Sequence, residues 1–264
     1  MKIICLVKFT PDVENFIYDY EKNVLVRENV RMILNPDDAS ALAFALKIKE
    51  QQRSTLVEIV TMAPQSVIPH MEDLLRLNVD KGTLISDKLY VGSDTYITSK
   101  ILGKYLSSTS FDCILTGTGA LDGDTSHVPS QLGEILNICQ MSNVVDIEEE
   151  TFGSESIVIE ADEDTEFAKY KISMPAILSL QKQRKYKLPY IKYEDLERYV
   201  KDRIEIINNE TLGFDPEEVG ISGSLTQVSS TFVKIMDKKD KRIVKNDPEG
   251  INTVYSFLKD KGFV

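Results

Sequence analysis

Short apolar runs alternate with segments of helical periodicity over the first 140 residues. A continuous apolar run, such as residues 3–7, is typical of a strand that is buried on both faces. Further strands are predicted at 57–62, 82–85 and 112–116. Helices are predicted between these strands, at 38–50, 67–77, 95–106 and 126–137. This alternation favours an α/β fold in which a parallel sheet carries helices on both faces.

The pattern changes after about residue 142. Strands are predicted at 156–161 and 176–180, joined by an acidic turn that we interpret as a solvated hairpin rather than a calcium site. Residues 208–229 show no clear period, and a last amphipathic helix begins at 247–249. We therefore expect two parts, an α/β domain over residues 1–205 and a C-terminal arm with a helix over residues 206–264, which packs on another chain and not on the sheet.

The chain of 264 residues is acidic, with 42 Asp and Glu residues against 31 Lys and Arg residues and a formal net charge of −11. Such a charge makes nucleic acid an unlikely partner, because phosphate backbones bind basic surfaces. Cys5, Cys113 and Cys139 are too few and too scattered for a disulfide framework or a zinc site. They predict a reducing, cytoplasmic location. No apolar run reaches the roughly 18 residues of a membrane helix, so no membrane span is predicted.

Ligands of parallel α/β sheets bind beyond the carboxyl ends of the strands. Of the loops expected there, residues 117–128 are the most unusual, with three glycines, several hydroxyls and a predicted helix start. We call this segment the anion loop, because such a loop can aim main-chain N–H groups at a phosphate. Its spacing matches neither a dinucleotide fingerprint nor a P-loop. The alternative is a plain surface turn between a strand and a helix.

Three side chains near these loops are open to two interpretations. Lys8 follows the first strand and either faces the same crevice or is a solvated lysine. Asn35 either bonds a ligand or caps the next helix, and capping alone is the simpler interpretation. His127 is more simply a residue at a helix start than a catalytic base. No Ser-His-Asp order, metal-ligand spacing or nucleophile elbow is found, so no catalytic residue and no metal ligand is predicted.

Several motifs occur in an order that is similar to one family: VKFTPD at 7–12, NPDD at 35–38, TMAP at 61–64, GSDT at 92–95, ALDGDT at 120–125 and a Gly-rich stretch at 213–228. Together they resemble the beta subunit of electron transfer flavoprotein over nearly the whole chain. The sequence departs from the family pattern at 126–131 and at 183–189.

The resemblance implies a fold like that of adenine-nucleotide alpha hydrolases and a heterodimer with an alpha subunit that holds FAD. The beta subunit of this family carries a second nucleotide, which is a structural AMP in ordinary members. In the electron-bifurcating members it is a second FAD, which accepts a hydride from NADH. The Gly-Asp-Thr form of the anion loop resembles the bifurcating branch, so FAD is preferred here and AMP is the alternative. Only with FAD would this subunit oxidise NADH.

Matching positions imply that most of the nucleotide contacts lie in the loops already singled out, with Lys8 added from its place after the first strand. The candidate cofactor-binding residues are Leu6, Lys8, Asn35, Asp38, Met62, Gly117, Gly119, Ala120, Asp122, Gly123, Asp124, Thr125, His127 and Val128.

Residues 181–203, which we call the docking segment, mix Arg, Lys, Tyr and Leu, a composition typical of docking surfaces. We expect them to contact an acyl-CoA or related dehydrogenase, with Arg184, Lys185 and Tyr186 as candidate contacts. A solvated helix-loop is the alternative. The second function considered is a stand-alone nucleotide-binding regulatory or hydrolytic module, in the manner of universal stress proteins. Such a module would not need the long segment that follows the sheet.

Overall fold

A computed structural model of the chain describes residues 1–12, 17–19, 24–26, 31–123, 125–153, 155–182, 185–227 and 243–263. The strands, numbered in chain order, are β1 (Lys2–Leu6), β2 (Phe9–Pro11), β3 (Ile17–Asp19), β4 (Val24–Val26), β5 (Met32–Leu34), β6 (Leu56–Met62), β7 (Lys81–Ile85), β8 (Cys113–Gly117), β9 (Cys139–Ile147), β10 (Ser156–Asp162), β11 (Phe167–Ser173), β12 (Ala176–Leu180) and β13 (Ile204–Ile207). The helices are α1 (Pro36–Gln51), α2 (Ile68–Arg76), α3 (Thr95–Ser107), α4 (Val128–Leu136), α5 (Asn209–Leu212), α6 (Gly220–Gly223) and α7 (Pro248–Asp260).

Among the described residues, nine strands form one sheet in the order β11-β10-β9-β12-β8-β1-β6-β7-β13. Neighbouring strands from β9 to β13 in this order run parallel, while β10 pairs antiparallel with both β9 and β11. This mostly parallel sheet, with helices around it, confirms the α/β fold predicted from the alternation of apolar runs and helical segments.

The central strands are buried on both faces, as their continuous apolar sequences predict. In β1, Ile3 and Cys5 point into one core with α1 and α2, whereas Ile4 and Leu6 point into the other with α3 and α4. The two helical layers therefore cover both faces of the sheet. The loops at the carboxyl ends of the parallel strands, which we call the carboxyl edge, stay accessible.

Two strands with polar or alternating sequences were not predicted, β9 and β11. The small antiparallel ladders β2–β5 and β3–β4 were not predicted either. Each of these elements takes its partner from elsewhere in the chain, so its local composition is a weak signal.

The boundary at residue 206 also differs from the expectation. Ile204–Ile207 forms an edge strand beside β7, and the compact unit extends to Gln227. The apolar side chains of Leu212, Phe214 and Val219, which we expected on an arm, are buried against the α3 side of the sheet. The Asp94 carboxylate holds this segment, since it accepts from the N–H of Ile97 at the start of α3 (3.0 Å) and from the N–H of Thr226 (2.9 Å).

The docking segment connects β12 with β13 and crosses the face that carries α1 and α2. Its Tyr186 ring lies 5.2 Å from the Phe44 ring of α1. The Arg198 guanidinium donates to the Leu75 carbonyl (3.3 Å) and the Arg76 carbonyl (3.1 Å) at the end of α2. The segment thus has packed contacts on both helices of this layer.

Residues 228–264 form a separate unit, in which α7 is the described element. The Asp247 carboxylate caps this helix by accepting from the Gly250 N–H at 2.8 Å. Large apolar side chains stay exposed along the helix, at Ile251, Val254, Tyr255 and Phe257. No helix of the described residues is both long enough and apolar enough to cross a lipid bilayer.

Candidate functional site

The loops after β1 and β8 meet the start of α1 at the carboxyl edge of the sheet, where these two strands are neighbours. The β2–β5 ladder brings them together, because Phe9 lies opposite Leu34 and the Asn35 N–H donates to the Lys8 carbonyl at 2.9 Å. Lys8, Asn35 and the anion loop are therefore spatial neighbours, although more than 80 residues separate Asn35 from Gly119 (|i−j| = 84).

Asn35 holds the anion loop instead of capping α1. Its amide nitrogen donates to the Gly119 carbonyl at 2.7 Å, and its amide oxygen accepts from the Leu121 N–H at 3.3 Å. The side chain is buried and makes no capping hydrogen bond to α1. The simpler interpretation of Asn35 as a helix cap is thus wrong, and the residue instead shapes the loop that follows β8.

Asp38 joins the ends of β1 and β8 through one buried carboxylate. Its two oxygens accept from the Lys8 N–H (2.8 Å) and from the Gly117 N–H (2.7 Å). Burial raises the pKa of Asp38 to about 7, although these two N–H groups oppose the rise and the Asp37 charge adds to it. The first turn of α1 thus carries a carboxyl group that titrates close to neutral pH.

Asp37 gives the neighbouring part of the loop a second carboxylate. One of its oxygens accepts from the Gly119 N–H at 3.2 Å, and the other accepts from the Lys182 N–H at 2.9 Å. The N–H groups of Gly117 and Gly119 were expected to face an anion, but α1 supplies their acceptors. The two acidic residues that begin α1 are suited to this task, because a helix N-terminus stabilises negative charge.

Two glycines of the anion loop differ sharply in their surroundings. A Cβ atom on Gly117 would lie 2.5 Å from the Asp38 Oδ1 atom and 2.8 Å from the Asp38 main-chain nitrogen. A Cβ atom on Gly123 would meet nothing within 4 Å. Gly117 therefore allows α1 to approach β8, whereas an added side chain at Gly123 would enter open space.

The donors that stay available lie at the far end of the loop. The main-chain N–H groups of Thr125, His127 and Val128 donate to no other described residue, and α4 has no side-chain cap. Ser126 adopts a left-handed φ of 53°, which is uncommon for a residue with a side chain. This helix start can therefore offer unpaired N–H groups to a negatively charged ligand.

Lys8 bridges the mouth of the crevice. Its ammonium group lies 2.7 Å from the Asp122 Oδ1 atom, and the two side chains are 51% and 36% exposed. Lys8 is thus a solvated lysine, as one of its two interpretations has it, and it also pairs with the anion loop. Because the pair is exposed, water screens the attraction and both groups can exchange it for a ligand.

Comparison with known proteins gives a consistent result. The family model described as "Electron transfer flavoprotein domain" matches residues 22–184. The chain is 30% identical over 262 residues to the electron transfer flavoprotein subunit beta of Thermoanaerobacterium thermosaccharolyticum, which covers 99% of both chains.

The chain belongs to the electron transfer flavoprotein family. It is 30% identical over 233 residues to the caffeyl-CoA reductase-Etf complex subunit CarD of Acetobacterium woodii, which covers 88% of this chain and 87% of CarD. It is 27% identical over 265 residues to the protein FixA of Azotobacter vinelandii, covering 97% and 92% of the two chains. The chain is thus an electron transfer protein of the beta-subunit type.

Most of the residues predicted for a nucleotide site in this family lie at the crevice described above. Leu6 differs, because its side chain is packed in the core with α3 and α4, so a ligand could reach its main chain only. Met62 is partly buried against the same core. His127 is exposed beside the Thr95 hydroxyl, with 3.4 Å between Nδ1 and Oγ1. Asp124 lies outside the described residues.

The predicted partner contacts in the docking segment are placed differently. Tyr186 is buried, and its hydroxyl donates to the Asp146 Oδ1 atom at 2.9 Å, so it anchors the segment instead of lining its surface. Lys185 pairs with the same carboxylate. Arg184 lies outside the described residues.

The surface of the docking segment includes large side chains that are not among the three predicted contacts. Tyr190, Tyr193 and Tyr199 are 97%, 92% and 72% exposed, and Leu196 is 50% exposed. They recur at every third residue, a spacing that fits neither an α-helix nor a strand but matches the period of a 3₁₀ or polyproline II turn, and this spacing was the available signal. Asp37 lies within the stretch 35–38 that the resemblance marks for nucleotide contact, but its bond to Lys182, 145 residues away in the chain, was not predicted.

Proposed function

We propose that this chain is the beta subunit of a heterodimeric electron transfer flavoprotein and that its anion loop holds the phosphates of a nucleotide, with FAD preferred to AMP. The observation that carries the proposal is that one loop has both open space at Gly123 and, at the start of α4, N–H groups with no acceptor among the described residues. Phosphate groups bind at such helix starts.

The residues at the crevice fit a phosphate-bearing ligand in their donor chemistry. The N–H groups of Thr125, His127 and Val128 would donate to phosphate oxygens, and Lys8 would leave Asp122 to add a cation. Asp122 would then be free to accept from a ribose hydroxyl. The bonds from Asn35 and Asp38 keep the near half of the loop in place, so that the site is formed before the ligand arrives.

FAD is preferred because the loop has the Gly-Asp-Thr form of the bifurcating branch, and because the space beside Gly123 suits the second phosphate of a dinucleotide. A bound flavin would supply the hydride and single-electron chemistry between NADH, the alpha-subunit FAD and an acceptor of lower potential. The protein would position the ligand and exclude water. With AMP the subunit would be an ordinary carrier with a structural nucleotide.

Acid release of the nucleotides from the purified heterodimer tests this choice. Two FAD molecules for each heterodimer are expected. One FAD and one AMP would place the protein in the ordinary carrier branch and remove the proposal of NADH oxidation. Absence of any nucleotide beyond the alpha-subunit FAD would contradict the proposed site itself.

The Gly123→Val variant tests the location of the phosphates. An added side chain has room in the ligand-free fold, so the variant should fold normally but lose at least about 90% of its beta-subunit nucleotide through crowding. Gly153→Val is a matched control, since its added Cβ would have only one ordinary contact, at 3.8 Å. Equal nucleotide content in both variants would contradict the placement.

We further propose that α7 packs on the alpha subunit and that the exposed tyrosines of the docking segment contact an acyl-CoA or related dehydrogenase. Exposed apolar and aromatic side chains of this kind are enriched at interface centres. Tyr193→Ala and Tyr190→Ala should slow electron delivery to the dehydrogenase about tenfold and leave the nucleotide content unchanged. Charge reversal at Arg184 and Lys185 should also slow delivery. Unchanged delivery in all these variants would exclude the segment as a docking surface.

A cytoplasmic location is part of this proposal. Its support is that Cys5, Cys113 and Cys139 are all free thiols, as expected in a reducing compartment. Fractionation of the source cells, with thiol labelling of the exposed Cys139, would test it. Recovery of the protein outside the cytoplasm would contradict it.

A further inference from the structure

One carboxylate connects the two proposed functional segments. The Asp37 Oδ2 atom accepts from the Gly119 N–H in the anion loop, and its Oδ1 atom accepts from the Lys182 N–H at the start of the docking segment. The two N–H groups are thus held by the two ends of a single rigid, planar group. A displacement of either main chain must move the carboxylate or break one of its hydrogen bonds.

In the anion loop, hydrogen bonds link Asp37 to the residues that would contact a ligand. Both main-chain polar groups of Gly119 are bonded, the N–H to Asp37 and the carbonyl to Asn35. Asn35 also accepts from the Leu121 N–H, one residue before Asp122. A ligand that draws Asp122 or Lys8 out of their ion pair therefore pulls on a chain of hydrogen bonds that ends at Asp37.

In the docking segment, the Asp37 bond lies at the point where the chain leaves β12. The Lys182 N–H bonds Asp37, and the next described anchors are the Lys185–Asp146 pair and the buried Tyr186 ring against Phe44. Between the segment and the first turns of α1 lies a cavity of about 420 Å³, lined by Pro36, Ala39, Ser40, Lys182, Tyr186 and Leu188, among others. This space leaves room for the main chain at Lys182 to shift, so the Asp37 bond restrains the start of the segment, before these anchors.

We propose that Asp37 is a positioning residue that couples nucleotide occupancy of the anion loop to the placement of the docking segment. The proposal rests on the proposed function, since it joins the two sites named there. With nucleotide bound, Gly119 is fixed and Asp37 holds Lys182 in one position. Without nucleotide, the loop moves and the start of the docking segment is less restrained. The beta-subunit nucleotide would thereby regulate how well the dehydrogenase partner is received.

Hydrogen exchange by mass spectrometry on the heterodimer, stripped of its beta-subunit nucleotide and then saturated with FAD or with AMP, tests this coupling. In the wild type, nucleotide should slow exchange at least about threefold in peptides that cover residues 117–123 and also in peptides that cover 185–190. In Asp37→Asn, saturating nucleotide should still protect 117–123 but no longer change 185–190. In asparagine an NH2 donor replaces one of the two carboxylate oxygens, so one of the two N–H groups would face a donor instead of its acceptor.

Asp80→Asn is a matched control, because the Asp80 carboxylate also accepts a main-chain N–H, that of Val57 at 2.8 Å, but lies on neither segment. It should keep the full nucleotide response at 185–190. Asp37→Ala is a second variant, which should lose the response as Asp37→Asn does.

Three outcomes are distinguishable. A wild type in which 117–123 responds to nucleotide and 185–190 does not would overturn the coupling but leave the nucleotide site standing. An Asp37→Asn protein with a wild-type response at 185–190 would overturn the role of Asp37. A wild type in which neither peptide responds to FAD or AMP would overturn the nucleotide site and the coupling together.

Discussion

Two buried carboxylates, one near the amino ends of the parallel strands (the amino edge) and one at their carboxyl ends (the carboxyl edge), are stabilised in different ways. Near the amino edge, Glu58 of β6 is buried and has the Lys2 ammonium at 2.8 Å and the Lys81 ammonium at 3.8 Å. At the carboxyl edge, Asp38 is equally buried but accepts main-chain N–H groups and has no ion pair among the described residues. The same protein thus neutralises one buried acid with cations and holds the other with uncharged donors, which are the two main-chain N–H groups and the Asn35 side chain.

The pKa values follow this difference. Burial pushes the pKa of Glu58 upward, but the hydrogen bonds from Lys2 and Thr83 and the lysine charges outweigh it and hold the pKa below its usual value. For Asp38, burial outweighs the N–H donors and the pKa rises to about 7. The amino edge is therefore built for stability as an ion-pair cluster. At the carboxyl edge, Lys8 is paired with the exposed Asp122 and not with Asp38, so a phosphate could use it.

The largest expected effect is that of Glu58→Ala at the amino edge. It would leave the Lys2 ammonium and the buried hydroxyls of Thr83 and Tyr105, which lie 2.7 Å and 3.0 Å from Glu58 Oε1, without their acceptor. We expect a loss of about 3 kcal/mol in the free energy of unfolding, measured by urea denaturation at pH 7. Glu205→Ala, which removes only a half-exposed partner of Lys81, should cost less than about 0.5 kcal/mol. Equal losses would mean that the cluster is not stabilising.

Next in size is Gly117→Ala at the carboxyl edge. The new Cβ would collide with main-chain and carboxylate atoms of Asp38 that the helix start cannot easily move. We expect a cost of about 2 kcal/mol and loss of the beta-subunit nucleotide. Gly123→Ala, with open space at the same loop, should change stability by less than about 0.5 kcal/mol. If the two alanine variants are equally stable, α1 and β8 are less closely packed than described here.

A third prediction uses the opposite pKa shifts. Because the folded-state pKa of Asp38, about 7, lies above the ordinary value of 3.8, the native state binds a proton that the unfolded chain has lost. The stability from this group is therefore complete below about pH 4 and falls as the pH rises toward 7, by up to about 1.4 kcal/mol for each pH unit. Asp38→Asn should lack this fall in urea denaturation at pH 5, 6 and 7. Parallel profiles for the variant and the wild type would refute the raised pKa.

The Glu58→Gln variant should show the reverse dependence. The lowered pKa of Glu58 means that its contribution is present above the ordinary value of 4.5 and is lost as the pH falls through the folded-state pKa. The advantage of the wild type over this variant should therefore shrink in acid. An advantage that grows in acid would contradict the assignment.

The smallest effect on stability is expected from Lys8→Ala. The Lys8–Asp122 pair is exposed, so its loss should change the free energy of unfolding by less than about 0.5 kcal/mol. A loss of bound nucleotide in this variant would then report on binding and not on folding. A loss of 2 kcal/mol or more in the free energy of unfolding would show that the Lys8–Asp122 pair stabilises the fold.

The fold was predictable where burial is two-sided and the signal is local. The strands around Ile3, Ile59 and Leu115 and the helices between them were found near their observed bounds, because each carries its own apolar pattern. By contrast, β9 includes Gln140 and Ser142 and is only partly buried, so its sequence resembles a polar connection. Such strands are specified by their partners in the sheet.

The sequence indicated which loops form the candidate site, but not which hydrogen bonds hold those loops in place. The glycines and hydroxyls of the anion loop mark it as a place for an anion. The acceptors that occupy the Gly117 and Gly119 N–H groups come from the start of α1, about 80 residues away in the chain (|i−j| = 79 and 82). Pairings at such separations depend on the assembled sheet, which composition does not encode.

The path of the docking segment has a consequence for recognition kinetics. It leaves the sheet at β12 and returns at β13, the far edge strand, so both of its ends are fixed in the same rigid element. A segment that is closed at both ends and packed on α1 and α2 has already lost part of its chain entropy during folding. Its exposed tyrosines, which have few rotatable bonds, then lose little more on contact with another protein. Once nucleotide also restrains the start of the segment through Asp37, association at this surface should be close to a rigid-body encounter, in which single contacts change the lifetime of the complex more than its rate of formation.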